Sequence, residues 1–240
     1  MESIEALAQA TIFEDARFLV LNKPAGMAVH GVHEDSLGVI ESVRKLRPDA
    51  PYLELAHRLD KDTSGCLVIA KRKSALRAFQ KQQESRGVDK FYLALIKGTW
   101  KGGFRKVDAP LLKKELQSGG WHVIVDSKGK RAVSYFSPVK QFEYATLVRI
   151  KIITGRTHQI RVHAKHIGQP IVGDNKYGDE AINADMQKLG LNRLFLHAES
   201  IQFTLPEIGE YNIQAPLPAE LSEMLTVVES HPNSPAGQVS

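Results

Sequence analysis

The chain has 240 residues, of which 42% are hydrophobic and 25% are charged, and these proportions exclude the disordered, collagen-like and coiled-coil classes of protein. The single cysteine, Cys66, excludes an intramolecular disulfide, and every apolar run is too short to span a bilayer, so we expect a soluble, cytoplasmic protein. The formal net charge of +5 and the pI of 9.2 favour a polyanionic partner.

Seven segments are predicted to be strands, because β-branched and aromatic residues are enriched in them between turn signals. They span residues 17–22, 65–70, 90–97, 131–139, 146–153, 196–204 and 211–214. Helical patterns do not alternate regularly with these segments, which favours an α+β fold over a doubly wound parallel one. Since short turns join many of the segments, we expect a mixed, mostly antiparallel sheet.

Three helices are predicted from apolar residues that recur at helical spacing. The first spans residues 37–46 after Ser36, the second spans 74–86, and the third spans 158–167 after Thr157. Ser and Thr are common N-caps, since their hydroxyls accept hydrogen bonds from the unpaired amides of a first helical turn.

The third helix is predicted to be amphipathic. Its apolar residues Ile160 and Ala164 share one side by their i, i+4 spacing. His158, Arg161 and Lys165 fall on the opposite side, which predicts a basic, polar face.

Basic residues are concentrated in the middle of the chain. Residues 1–50 carry 5 Lys and Arg against 8 Asp and Glu, residues 51–176 carry 25 against 10, and residues 177–240 carry 2 against 9. The corresponding net charges are −3, +15 and −7. So basic a section favours a nucleic-acid surface over the ordinary alternative, in which Lys and Arg only cover exposed faces.

Standard cofactor and metal motifs are absent from the sequence, which has no phosphate-binding P-loop, no dinucleotide-binding glycine fingerprint, no G-x-S-x-G and no H-E-x-x-H. The pairs His30/His33 and His163/His166 have no Cys, Asp or Glu at a spacing that completes a coordination shell. Cys66 lies in an apolar run, which favours a small buried side chain over a nucleophile. We therefore expect no metal and no cofactor.

The densest polar cluster is the stretch His-Arg-Leu-Asp-Lys-Asp-Thr-Ser-Gly at residues 57–65, just before a predicted strand. Loops at strand ends are where rigid scaffolds display reactive groups, and this loop carries two carboxylates, Asp60 and Asp62. From the spacing alone, a solvated turn with surface ion pairs is the more ordinary interpretation.

This stretch resembles, residue for residue, the H-R-L-D-x-x-T-S-G signature of RNA pseudouridine synthases of the ribosomal large-subunit synthase A type. The Lys-Pro-Ala-Gly at 23–26 looks like the first motif of that family, K-P-x-G. The segments at 90–94 and 155–163 look like those that carry its active-site tyrosine and its arginine, and 194–198 also agrees. The resemblance implies the catalytic fold of the family, with two subdomains around a basic cleft.

The resemblance covers nearly the whole chain. It implies an N-terminal extension over residues 1–11, a pseudouridine synthase catalytic domain over 12–228 and a disordered tail over 229–240. Segments such as Pro-Ile-Val-Gly-Asp at 170–174 most resemble the subgroup of large-subunit synthases C. Members of that subgroup usually begin with a small RNA-binding domain, for which we expect no counterpart in this chain.

The resemblance also implies the roles of three residues. Asp60 would be the catalytic carboxylate, acting as a nucleophile or as a base, while Asp62 falls at a variable position of the motif. Tyr92 and Arg161 would support the active site, Arg161 as the cation that keeps Asp60 ionised. The alternatives are that Tyr92 is an ordinary core aromatic and that Arg161 is a phosphate contact.

Further basic residues are expected to bind the RNA substrate. Arg58 would fill the gap left when the target nucleotide is flipped out of the RNA stack, as the family uses this motif arginine. Arg156, Arg77 and Lys81 are expected to contact RNA. A wider set of phosphate contacts comprises Lys71, Arg72, Lys73, Lys113, Lys114, Lys128, Lys130 and Arg131.

Together, these expectations predict an enzyme that isomerises specific uridines to pseudouridine in RNA, above all in large-subunit (23S) ribosomal RNA. A transfer-RNA enzyme of the same family and a non-catalytic RNA-binding protein of the same fold are the alternatives. We expect RNA as the partner, and a monomer with no membrane association and no small-molecule cofactor.

Overall fold

The structure is a computed structural model that describes residues 7–31, 37–117, 119–206 and 208–231. The chain divides into two compact units. Unit 1 comprises Met1–Lys90 and His197–Leu217, and unit 2 comprises Phe91–Leu196 and Pro218–Ser240. The expectation of two subdomains is thereby confirmed.

The strands are, in chain order, β1 (Thr11–Glu14), β2 (Phe18–Lys23), β3 (Glu54–Leu55), β4 (Ser64–Ala70), β5 (Val88–Lys97), β6 (Arg105–Asp108), β7 (Leu111–Glu115), β8 (Trp121–Val125), β9 (Val133–Gln141), β10 (Ala145–Ile152), β11 (Leu196–Leu205) and β12 (Gly209–Gln214). The helices are α1 (Val39–Leu46), α2 (Lys73–Glu84), α3 (Gln159–His166), α4 (Glu180–Lys188) and α5 (Ala219–Ser230).

Unit 1 contains a sheet whose strand order is β1-β2-β4-β11, with β3 paired to β4 and β12 paired to β11. These pairings are antiparallel except for the parallel pair β4–β11. Every residue of β4 is buried, which accounts for its continuous apolar sequence. Four aromatic rings, Phe18, Phe79, Phe203 and Tyr211, pack beside the sheet with centroid separations from 4.7 to 6.3 Å. They join helix α2 to the strands.

Unit 2 contains the strand order β5-β10-β9-β6 and a separate antiparallel hairpin, β7–β8. The pairs β9–β10 and β6–β9 are antiparallel. Helix α3 packs through Val162 into a buried cluster with Val123 of the hairpin and with Tyr177. The helix that carries Arg161 is therefore anchored on the hairpin and on β9.

The predicted fold class is confirmed, since the molecule is α+β with mostly antiparallel strand pairing. The seven predicted strands correspond to β2, β4, β5 and β9 to β12, and the three predicted helices correspond to α1, α2 and α3. Strands β1, β3, β6, β7 and β8 and helices α4 and α5 lie outside the predicted segments. Strands β1 and β3 have only 4 and 2 residues, and β6 and β7 are largely charged, so their β signal is weak.

The predicted helix starts need correction. Ser36 lies outside the described residues, and α1 begins after Gly38, whose amide donates to the Glu41 carboxylate at 2.9 Å. The N-cap of α3 is His158 and not Thr157, with a left-handed backbone at φ 54°. At the other end of the chain, α5 continues to Ser230, and residues 232–240 lie outside the described part.

Within the described residues, no helix combines the length and the apolar character that a membrane crossing requires.

Candidate active site

The loop between β3 and β4 holds Asp60 in a turn. The amide of Thr63 donates to the Asp60 carbonyl at 3.2 Å, and the buried side chains of Leu59 and Thr63 anchor the loop. Asp60 itself is half-buried, whereas Arg58 and Asp62 on either side are exposed. Of the two carboxylates in the loop, Asp60 is therefore the sheltered one.

The buried side chain of Lys23 fixes this loop. Its side chain is fully buried, and its ammonium donates to the carbonyls of Pro24 at 2.7 Å, Met27 at 2.8 Å and Lys61 at 3.0 Å. Burying an ammonium is favourable only when such acceptors replace its water. Lys23 thus ties the Lys-Pro-Ala-Gly turn to the residue next to Asp60, a role that the sequence analysis did not assign.

The Thr-Ser-Gly end of the loop pairs with the Leu-His-Ala segment of β11. Ser64 and His197 are hydrogen-bonded at 3.0 Å between Oγ and Nδ1, and His197 Nε2 lies 3.1 Å from the Ala215 carbonyl. Gly65 has a φ of +112°, and a Cβ there would lie 2.2 Å from the Ala198 carbonyl oxygen. Only glycine permits this close strand approach. The segments at 57–65 and 194–198, both quoted for the family resemblance, are therefore hydrogen-bonded to each other.

His57 points inward from the same loop. Its Nε2 accepts the Val68 amide at 3.2 Å, and its ring stacks on Phe79 at 6.2 Å. Burial and the charge of Lys90 hold the pKa of His57 well below its usual value, so the ring is neutral. Burial also lowers the pKa of Lys90 to about 8. His57 is thus a structural anchor that leaves Arg58 facing solvent.

Helix α2 carries Arg77 and Lys81 on its exposed side, four residues apart on one helix face. Lys71, just before this helix, is different, because its ammonium binds Glu14 at 2.6 Å and the Asp15 carbonyl at 2.7 Å. Among these predicted RNA contacts, Arg77 and Lys81 are therefore exposed cations, while Lys71 is bound to Glu14 and Asp15 at the end of β1.

Tyr92 lies on β5 in unit 2 and is buried, with 6% of its surface exposed. Phe91 is half-buried and points to the opposite face, because successive side chains of a strand alternate. Arg149 lies over the Phe91 ring, with its guanidinium carbon 4.4 Å from the centroid. The structure thus separates the two rings as the alternation predicts.

Arg161 is buried on α3 and forms a two-pronged ion pair with Asp174, with both N–O distances at 2.8 Å. Asp174 also accepts the amides of Lys176 at 2.9 Å and Tyr177 at 3.0 Å. Burial acts to raise the pKa of Asp174, but the hydrogen bonds and charge of Arg161 outweigh it and lower the pKa overall.

The predicted basic, polar face of the third helix needs correction at Arg161, because only 7% of this residue is exposed. Asp174, thirteen residues further along, supplies the carboxylate that lets the guanidinium be buried. Sequence analysis missed this role of Asp174, although Gly173-Asp174 stands in a segment quoted for the family resemblance. Lys165, which was placed on the same face, is exposed.

His158 connects the start of α3 to the β7–β8 hairpin. The Tyr177 hydroxyl accepts the Val123 amide at 3.1 Å and is hydrogen-bonded to His158 Nδ1 at 2.8 Å. The His158 ring stacks on Trp121 at 4.8 Å. Burial, together with the charges of Arg161 and Lys176, lowers the pKa of His158 to about 3. His158 is therefore neutral and anchors the hairpin.

Replacing His158 is expected to change how stability depends on pH. Between pH 6.5 and about 3 the unfolded chain binds a proton at His158 that the folded chain does not, so stability falls as the pH decreases through this window. Asparagine is the replacement because it tolerates the left-handed backbone. From pH 7 to pH 5 the free energy of unfolding of the parent should fall by about 1–2 kcal/mol more than that of His158→Asn. Urea unfolding at both pH values measures this difference, and parallel losses would contradict it.

Arg156, in the loop before α3, is exposed, and its Nε donates to the Arg131 carbonyl at 3.1 Å. Within the described residues, no group of three or more His, Cys, Asp and Glu side chains lies close enough together to hold a metal ion. Cys66 is buried, and burial raises the pKa of its thiol to about 12, which leaves it protonated at neutral pH.

Comparison with known protein families identifies the chain. The model of the RNA pseudouridylate synthase family matches residues 17–166, which include the Asp60 loop, Tyr92 and Arg161. The chain belongs to the RNA pseudouridylate synthase family. The matched region includes residues of both units.

Two bacterial relatives within this family are similar over nearly the full chain, and both bear the name ribosomal large subunit pseudouridine synthase C. That of Pasteurella multocida (strain Pm70) is 49% identical over 235 residues, which cover 98% of this chain and 72% of the relative. That of Escherichia coli (strain K12) is 48% identical over 228 residues, which cover 94% and 72%. The subgroup resemblance seen in the sequence is thereby confirmed.

Solved structures of the family share the fold. Human RNA pseudouridylate synthase domain containing 4 is 28% identical and has a TM-score of 0.76. The superposition covers 94% of this chain and 95% of the human chain. Human RNA pseudouridylate synthase domain containing 1 is 25% identical, with a TM-score of 0.71 over 87% and 83%.

Proposed function

We propose that this pseudouridylate synthase isomerises specific uridines to pseudouridine in large-subunit ribosomal RNA, with Asp60 as the catalytic carboxylate. The observation that carries the proposal is the half-buried Asp60 in a turn that Lys23 and Thr63 hold in place. The names of the relatives at 48–49% identity support ribosomal RNA over transfer RNA as the substrate.

The reaction needs a carboxylate at the sugar. The bond between N1 of the base and C1′ of the ribose breaks, the base rotates, and C5 bonds to C1′; N1 then gains a proton and C5 loses one. Asp60 acts either as a nucleophile at C1′, in the manner of a retaining glycosidase, or as a base that removes a sugar proton. No electron or external group enters this balance, so the proposal includes no cofactor.

Arg58 is proposed to hold the flipped state of the target nucleotide. A base inside a stack is unreachable, and extruding it costs a few kcal/mol, which a planar cation offsets by stacking in the gap. Arg58 is exposed and lies two residues from the sheltered Asp60, which supports this role. Tyr92 and Arg161 are proposed to support the reaction, and Arg156, Arg77 and Lys81 to contact the RNA.

The direct test uses purified protein and RNA made by transcription, which carries no modified bases. Large-subunit ribosomal RNA and bulk transfer-RNA transcripts are incubated with the whole chain, and pseudouridine is quantified in each. The proposal expects pseudouridine in the ribosomal RNA only. Pseudouridine in transfer RNA alone would favour the transfer-RNA alternative, and none in either would favour the non-catalytic one. We also propose that the protein is cytoplasmic and monomeric. Light scattering of the purified protein checks the monomer and should give 26.7 kDa.

Removing the two exposed cations of α2 is expected to weaken RNA binding and to reduce its salt dependence. Each phosphate contact releases condensed counterions, so log affinity changes with log salt by roughly −0.7 per contact on single-stranded RNA. The double variant Arg77→Gln/Lys81→Gln should flatten this slope by about one to two contacts, for all RNA sequences alike.

The matched control is Lys45→Gln/Lys188→Gln, which removes two exposed cations outside the basic middle of the chain. Both double variants lower the net charge equally, and the control also removes the Lys188 ion pair with Asp185 at 3.2 Å. Equal slopes in the two variants would show that α2 does not face the RNA.

A further inference from the structure

One face of the unit 2 sheet carries aromatic rings and cations side by side. We propose that this face binds a single-stranded segment of the substrate RNA outside the active site, which rests on the proposed function in that the substrate is RNA. We call it the Tyr135 face. It consists of Phe91, Phe104, Lys106, Tyr135, Arg149 and Lys151.

The strand register brings these side chains together. Tyr135 on β9 pairs directly with Lys106 on β6 and with Lys151 on β10, and directly paired residues point to the same face. Beyond Lys151 comes Phe91 on β5, whose ring centroid lies 5.6 Å from the Lys151 ammonium. The result is a row across four strands in which cation and ring alternate.

An exposed ring stands at the β6 end of this row. Phe104 is 65% exposed and stacks on Tyr135, with centroids 5.2 Å apart and planes 19° apart. Exposing so much of a phenylalanine adds little to the stability of the fold. The free face of a ring stacked in this way is a surface on which a base can continue the stack.

The Tyr135 face is opposite to the face that carries the active-site elements of unit 2. Gln159 and His163 of α3 both contact the Ser134 hydroxyl, at 2.9 and 3.0 Å. Ser134 and Tyr135 are successive residues of β9 and therefore point to opposite faces.

The charges on this face favour a polyanion. Two carboxylates lie on this side: Asp108, beside Lys106 at 3.0 Å and Arg131 at 3.4 Å, and Asp89, two residues before Phe91 on β5. Exposed ion pairs of this kind are weak, so a phosphate can compete for the Lys106 ammonium. Arg149 and Lys151 add two more cations over the Phe91 ring.

The composition distinguishes RNA from a protein partner. Protein–protein interfaces are depleted in lysine at their centre, whereas this row has a lysine on each side of Tyr135. Surfaces that bind single-stranded nucleic acid combine cations for the backbone with aromatic rings for the bases. The Tyr135 face has both.

The test measures binding of a fluorescein-labelled oligouridine of about twelve nucleotides to the whole chain by anisotropy. Phe104→Ala should weaken binding about fivefold or more, since stacking one base on a ring is lost, and Lys106→Gln/Lys151→Gln should flatten the salt slope. Val139→Ala is the control, because it removes an apolar side chain that is 55% exposed on the same strand as Tyr135. It should bind like the parent.

Isomerisation at saturating RNA, measured on the same proteins, separates the two proposals. If the parent forms pseudouridine and Phe104→Ala binds within twofold of Val139→Ala, the Tyr135 face is overturned. If the parent forms no pseudouridine and Phe104→Ala still binds more weakly, the proposed function fails and the face stands. Photo-crosslinking with 5-iodouridine should label Phe104 or Tyr135, and labelling confined to other residues would also overturn the proposal.

Discussion

Asp60→Asn is expected to abolish uridine isomerisation while RNA binding stays the same or becomes tighter. The amide has nearly the shape of the carboxylate but acts neither as a nucleophile nor as a base, and it removes one negative charge near the phosphates of the substrate. The turn should persist, because the Thr63 amide donates to the backbone carbonyl of Asp60 and not to its side chain. Pseudouridine formation and RNA affinity are measured on the same protein.

The control for this substitution lies in the same loop. Asp62 is an exposed carboxylate two residues after Asp60, so Asp62→Asn removes an equal charge nearby. The Asp62→Asn variant should isomerise uridine at nearly the parental rate. Turnover by pure Asp60→Asn comparable to that of Asp62→Asn would contradict the role of Asp60.

Arg161→Met is expected to destabilise the fold and to lower activity. It leaves the buried Asp174 carboxylate without its two hydrogen bonds from the guanidinium, and breaking a buried ion pair in this way typically costs about 3–5 kcal/mol. The free energy of unfolding in urea measures the loss. The double variant Arg161→Met/Asp174→Asn should recover part of it, because it removes the uncompensated charge as well.

Activity then separates the structural role of Arg161 from its proposed role beside Asp60. If Arg161 also keeps Asp60 ionised, its loss raises the pKa of Asp60, so the residual activity of the double variant should increase as the pH rises. Normal turnover at saturating RNA, with weaker binding alone, would make Arg161 a phosphate contact. Parental stability of Arg161→Met would contradict the buried pair itself.

The strands that sequence reasoning predicted are those whose burial leaves a periodic or continuous apolar pattern. Strand β4 is buried along its whole length and β10 alternates near Arg149 and Lys151, so both stand out in the sequence. Strands β6 and β7 are held by pairing with β9 and β8 and carry mostly charged side chains. Helix α5 buries Leu221, Met224 and Val228 at helical spacing, a signal that was present in the sequence.

Some features of the candidate site could likewise be predicted from the sequence, and others could not. The position of Asp60 in a loop before a buried strand followed from the order of polar and apolar residues. The burial of Arg161 did not, because a helical pattern shows which side a residue occupies but not whether a distant carboxylate such as Asp174 neutralises it. Lys23 was likewise unassigned, since its acceptors are backbone carbonyls, which every sequence contains.

The central claim is tested most directly by mapping pseudouridine in large-subunit ribosomal RNA from cells with and without the gene for this chain. Carbodiimide modification followed by primer extension gives a stop at each pseudouridine. We predict that specific stops disappear in the deletion strain, return with the parental chain and do not return with Asp60→Asn. An unchanged set of stops in the deletion strain, or their return with Asp60→Asn, would contradict the account.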